Sequence, residues 1–241
     1  MANLENNAWV FDSLVGFLHG PVWNVPLQTF IEEKSLRKLP DKPEYKKIHN
    51  EYRNLVDVML GSFMEDIGIT ADQFQAACHL SAHDLAGLPA YFHKRLFEQI
   101  WAANDYEMFV KMMTHKNVEL QLQALELIEK RYGAMPNLYS SEAEETNITE
   151  EELKERQEYL KQQRDKLLAL KKQVREKQLG AAASDNVASA EGASSFVPRP
   201  KSSHAARAVL KGNAPAPPPD AMQLRRALAS KLKAEVVDNM S

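Results

Sequence analysis

Apolar residues along the first 136 positions recur at three- and four-residue steps, the period of a helix with one buried face. Trp9, Val10, Phe11, Leu14, Val15, Phe17 and Leu18 predict a short helix stopped near Gly20 and Pro21. A second helix is predicted to open at Pro26, to turn Leu27, Phe30 and Ile31 inward and to end near Pro40. The clearest pattern runs from Glu44 to Ile67. There Tyr45, Ile48, Tyr52, Leu55, Val56, Met59, Leu60, Phe63, Met64 and Ile67 form an unusually wide apolar face. Gly68 suits the position after its last turn, and Thr70 with Gln73 forms a capping box for a short helix through Phe74 and Cys78. His79 to Pro89 carries no clear period, after which Tyr91, Phe92, Leu96, Phe97, Ile100 and Trp101 recur helically. Two further short helices are predicted. Asn104 caps one with Phe109, Val110, Met112 and Met113, Asn117 caps one with Leu120, Ala124, Leu127 and Ile128, and Gly133 and Pro136 close the set.

The pattern changes after residue 136. Residues 137–148 are acidic and contain serines, which predicts a linker, and Thr149 with Glu152 then caps a long helix over 149–179. Leu153, Leu160, Leu167 and Val174 repeat every seven residues, but the partner positions are Arg156, Gln163, Leu170 and Lys177. One apolar residue per heptad makes a narrow seam, that of a weak coiled coil or a solvated helix. Residues 180–219 are rich in Ala, Ser and Pro and are expected to be a disordered linker. Residues 220–238 form a last amphipathic helix, with Leu224, Leu228, Leu232 and Val236 on one face and Arg225, Arg226, Lys231 and Lys233 beside them. Such a helix needs a partner to be stable. The expected class is therefore all-α: a bundle over 1–136, then the linker, long helix, second linker and terminal helix.

Composition agrees and narrows the function. Of 241 residues 44% are hydrophobic and 26% charged, with only nine glycines, which is globular with a helical bias. The formal charge of −3 gives no overall field toward nucleic acid or an anionic membrane. The charge is uneven, however: residues 1–139 hold 13 basic and 18 acidic side chains, a net −5, and the rest hold 17 and 15, a net +2. With no apolar run of membrane-spanning length and no signal-peptide pattern near Met1, a cytosolic protein without stable membrane insertion is expected. The single cysteine, Cys78, rules out an internal disulfide framework and a thiolate metal cluster.

Enzyme chemistry has no foothold in the motifs. Phosphate loops cluster glycines so that backbone amides can approach the ligand, yet here they are scattered from Gly16 to Gly212. There is no G-x-S-x-G elbow and no H-E-x-x-H zinc helix. His79, His83 and Asp84 could share a helical face toward a metal, but they lack a fourth ligand, and no cofactor or metal is expected. Met59, Met64, Met108, Met112 and Met113 stand out more, because flexible thioethers suit a groove that accepts another helix as well as an irregular core.

Two runs carry a family resemblance. Ile48-His49-Asn50-Glu51-Tyr52-Arg53-Asn54-Leu55-Val56-Asp57 and Ile67-Gly68-Ile69-Thr70-Ala71-Asp72-Gln73-Phe74 resemble the central helices of the BART-like domain. Val15 to Trp23, Lys116 to Ala124, Glu158 to Leu167 and Lys231 to Val236 are similar to the coiled-coil-bearing, cilia- and flagella-associated form of that family. Between bundle and long helix only residues 137–148 intervene, fewer than in the family forms. The resemblance implies a six-helix bundle and a non-catalytic effector that binds a GTP-loaded Arf-like small GTPase of the ciliary kind. It also implies a mode, in which the N-terminal amphipathic helix of the GTPase lies in an apolar groove of the middle helices. Candidate liners are Leu60, Phe63, Met64, Phe109, Met112 and Met113. Cytoplasm and cilium or flagellum are the expected sites, with the nucleus also reachable. The alternative is a scaffold in which residues 149–179 or 220–238 recruit ciliary or cytoskeletal proteins and the bundle is an anchor.

Overall fold

A computed structural model describes residues 2–35, 42–78, 98–132, 150–188 and 201–238, and among these there is no strand. The histidine pair with Asp84, the Tyr91 to Phe97 stretch and the acidic linker lie outside the described residues.

Helix α1 (Ala2–His19) turns Val10, Leu14 and Leu18 inward at four-residue steps. The chain reverses at Gly20, whose amide donates to the Gly16 and Phe17 carbonyls, both at 3.0 Å. Helix α2 (Pro21–Ser35) starts there and not at Pro26, so that Pro21 takes the first position, where a missing amide costs nothing. Pro26 lies inside the helix and is buried. Asn24 makes the tight corner possible: its Nδ2 donates to the carbonyls of Leu18, His19 and Gly20 at 3.0, 3.0 and 3.1 Å, serving acceptors that the end of α1 leaves open.

Helix α3 (Lys42–Ile67) ends as its sequence predicts. Gly68 has φ of 68°, and the Ile69 amide bonds back to the Met64 carbonyl at 3.1 Å. The Thr70–Gln73 box forms reciprocally: the Thr70 amide donates to Gln73 Oε1 at 2.9 Å and the Gln73 amide to Thr70 Oγ1 at 3.3 Å. It opens α4 (Ala71–Cys78). Helix α5 is described over 98–104.

The two short helices expected after Asn104 are one helix, α6 (Tyr106–Tyr132). Its cap is Asp105, whose Oδ1 accepts from the Met108 amide at 2.8 Å. Nothing at Asn117 breaks it, for a lone Asn costs a helix only a fraction of a kcal/mol, under ~0.7. Phe109, Met113, Leu120, Ala124 and Ile128 then form one buried line.

Helix α7 (Glu150–Ala188) packs on α2 and α6. It continues beyond Leu179 through the helix-favouring Ala181 to Ala183. Of its heptad seam, Leu160 and Leu167 are half-buried, while Val174 and the neighbouring Leu170 face solvent. Leu179 joins the buried core, and charge holds the helix beside it, through Arg175 and Lys171 on the buried Glu32 of α2.

The segment expected as a disordered linker, 180–219, contains a packed helix, α8 (Lys201–Leu210), against α2 and α3. Asp66 of α3 caps it, its carboxylate accepting from the backbone amides of Lys201 and Ser202 and from the Ser202 hydroxyl. Ser202, Ser203, Ala205 and Ala206 are buried, and their small side chains bring the backbones close. Gly212, with φ of 80°, ends α8, and an irregular strap leads over α3 to α9 (Ala221–Asp238), which packs on α3 and α4.

A candidate helix-binding surface

Helix α3 is the axis of the molecule. Its seven consecutive residues Leu55 to Gly61 are all buried, and nearly two helical turns point in every direction, so every side of α3 is covered at that level. Three sets of neighbours do the covering.

The first face belongs to the core. Phe63 stacks on Phe17 of α1 with centroids 4.7 Å apart, and Tyr52 and His49 lie against Phe109 of α6 at 5.4 and 4.9 Å. Two polar groups here are held by α5: Tyr52 Oη donates to the Gln99 carbonyl at 3.1 Å, and His49 Nε2 lies 2.9 Å from the Ala102 carbonyl. Burial raises the Tyr52 pKa far above its ordinary value and, with the Arg53 and Arg225 charges, lowers that of His49.

The second face, Val58, Gly61, Ser62 and Glu65, meets α8 and the strap around a small cavity of about 410 Å³. A Cβ added at Gly61 would overlap the ring of Pro218, so glycine is what lets the strap cross α3 so closely.

The third face is the candidate site. Arg53, Asp57, Leu60 and Met64 fall at three- and four-residue spacing on one stripe of α3. Helix α9 lies across α3 and α4 beside it, with Ala221, Leu224, Leu228 and Ala229 buried. Arg225 is the polar anchor and is only 3% exposed. Its Nε is 3.3 Å from Asp57 Oδ1, and its Nη1 donates to the Ala103 carbonyl of α5 at 3.0 Å. Burial lifts the Asp57 carboxyl above its ordinary pKa, and the charges of Arg225 and Arg53 oppose that without cancelling it. A cavity of about 370 Å³ remains between Arg53, Trp101 and α9. This cradle of α3, α4 and α5 holds an amphipathic helix through a leucine pair one turn apart and a buried cation between them.

The structure separates the six sequence candidates. Leu60, buried, and Met64, half-buried, lie on the Asp57 stripe. Phe63 and Phe109 belong to the aromatic core, and Met113 is fully buried beside them. Met112 lines a different cleft, of about 810 Å³ between α2, α6 and α7, together with Gln28, Glu32, His115 and Lys171. Sequence reasoning missed Asp57 and Arg225. The available signal was an acid in the otherwise apolar run from Leu55 to Leu60, since a buried carboxylate calls for a cation. Among the described residues no group of three His, Cys, Asp or Glu side chains could hold a metal ion, and no helix is long and apolar enough to cross a membrane.

Comparison with known proteins places this architecture in a class. Residues 6–122, most of the N-terminal bundle, match the family described as the ARF-like 2 binding protein BART, and the all-helical architecture agrees with that match. The chain is also 36% identical over 134 residues to a Caenorhabditis elegans protein named Cilia- and flagella-associated protein 36. That match takes in 54% of this chain and only 19% of the relative.

Proposed function

We propose that the bundle is the receptor for the N-terminal amphipathic helix of an Arf-like small GTPase in its GTP-bound state, and that the protein is a non-catalytic effector in ciliary trafficking. The observation that carries this is the α3–α4–α5 cradle, a surface suited to an amphipathic helix by apolar anchors at helical spacing. The family that residues 6–122 match is named for binding ARF-like 2, and the nematode relative is named for cilia and flagella, which supports the class of partner and a place in the cilium or flagellum. Leu60 and Met64 serve as groove anchors, Phe63, Phe109 and Met113 support the floor, and Met112 stands apart at the α2–α6–α7 cleft. Dependence on GTP follows if the GTPase frees its helix only in that state, because a ligand shifts an equilibrium only by its differential affinity.

Calorimetry with an Arf-like 2 GTPase loaded with GDP or with a non-hydrolysable GTP analogue tests the reading. Binding confined to the GTP-analogue form supports it, and nucleotide-independent binding, or none to the wild-type chain and none to variants with an opened cradle, overturns it. The scaffold alternative draws on Leu170 and Val174 of α7, which are 61% and 55% exposed. Leu224 and Leu228 of α9 are buried while α9 is docked, so in that state the alternative rests on α7.

A further inference from the structure

Resting on the reading of the cradle as a helix receptor, we propose that α9 is its built-in occupant, a tethered competitor that the partner's helix must displace. Seven residues of α3 in a row are buried only because α8, the strap and α9 cover the sides that the bundle leaves open. In α9, Leu224 and Leu228 are 0% and 2% exposed, while Gln223, Arg226 and Ser230 on the opposite side face solvent. Only its inward stripe is adapted to the cradle.

The attachment is graded. Helix α8 is the fixed end, held by three donors on Asp66, and Pro218 packs on the bare backbone of Gly61. Beyond that point α9 has Asp57, the Ala103 carbonyl and apolar contact to hold it. It can therefore swing out on the strap while α8 stays docked. A tether this short keeps α9 at a high local concentration, so an incoming helix finds only the fraction of cradles from which α9 has left, and its apparent affinity falls by that fraction.

Displacement also sets what the incoming helix must carry. When Arg225 leaves, buried Asp57 loses its paired cation and keeps only the exposed Arg53 nearby, which is costly unless the newcomer replaces Arg225. A fitting partner helix has two large apolar residues one turn apart with an Arg or Lys directly after the first, as Leu224, Arg225 and Leu228 are arranged here.

The test uses the full chain with Leu224→Asp and Leu228→Asp combined, and separately Arg225→Glu, which sets a second carboxylate against Asp57. None of these residues belongs to the bundle, and far-UV circular dichroism checks that the helices persist. Affinity for a GTP-analogue-loaded Arf-like 2 GTPase is expected to rise about tenfold or more over wild type in both variants. A fluorescein-labelled peptide of residues 217–238 is expected to bind the Leu224/Leu228 variant and not the wild-type chain. If GTPase affinity is unchanged or lower and the peptide shows no preference for the variant, α9 is not a competitor. If the GTPase ignores every chain while the peptide still selects the variant, self-occupancy stands and the GTPase reading fails.

Discussion

Replacing Glu32 by Gln should detach α7 from the bundle. Glu32 is 2% exposed at the C-terminal end of α2 and is the shared counter-ion of three cations. Arg175 Nη1 lies 2.7 Å from its Oε2, and the Lys116 and Lys171 ammonium groups each lie 3.5 Å from its Oε1. Burial alone would raise the Glu32 pKa, but the Arg175 hydrogen bond and charge, joined by Lys171 and Lys116, outweigh it and hold the carboxyl below its ordinary value. Removing one partner of a fully buried pair costs roughly 3–5 kcal/mol, and exposed pairs contribute about 1 kcal/mol or less. The arginine side chain is 13% exposed and the lysines 23% and 25%, so some of the stranded charge recovers water and the cost falls at the low end. We expect about 3 kcal/mol, on the order of a hundredfold in the docking equilibrium of α7. Hydrogen exchange would read this directly: amides of α7 around Lys171 to Leu179 should lose protection while those of α3 keep theirs. Equal protection of α7 in variant and wild type, with a denaturation midpoint moved by less than the equivalent of about 1 kcal/mol, would refute the assignment of α7 docking to this cluster.

Two further outcomes follow from the same structure. His49 is held neutral by burial and by the Arg53 and Arg225 charges, so its folded pKa lies below 6.5. Only the unfolded chain takes up a proton as pH falls from 6.5 toward the folded value, and stability should decline across that window and not above it. Urea midpoints at several pH values should show the decline, and His49→Gln, which can still donate to the Ala102 carbonyl, should flatten it. Gly61→Ala would favour helix α3 by up to about 1 kcal/mol on propensity, yet its methyl group would overlap Pro218. The strap should lift, and tryptic cleavage after Lys211 should accelerate with little change in bundle melting; an unaltered cleavage rate would show that the strap does not depend on this contact.

Local chemistry alone determined much of this molecule. The three- and four-residue period of Tyr45 to Ile67, the glycine after it and the Thr70–Gln73 box are decided by neighbours within a turn or two, and they formed where the sequence puts them. The runs from Ile48 to Asp57 and from Ile67 to Phe74 were likewise enough to point to the BART-type domain that residues 6–122 match. Tertiary structure decided which side of a wide apolar face becomes core and which becomes cradle. Helical period gives an angle around an axis but not the identity of what lies opposite, so it could not tell that Leu60 and Met64 share a stripe with Asp57 while Phe109 and Met113 lie in the core across from α3. The largest difference came from residues 201–210. The Ala, Ser and Pro content of the stretch around them reads locally as a linker, yet Asp66 caps α8 from 136 residues away, and the amphipathic helix expected over 220–238 meets its partner where Asp57 pairs with Arg225 across α3 and α9. Contacts of that range leave no periodic trace in a sequence, because their energy depends on groups that only the folded chain brings together.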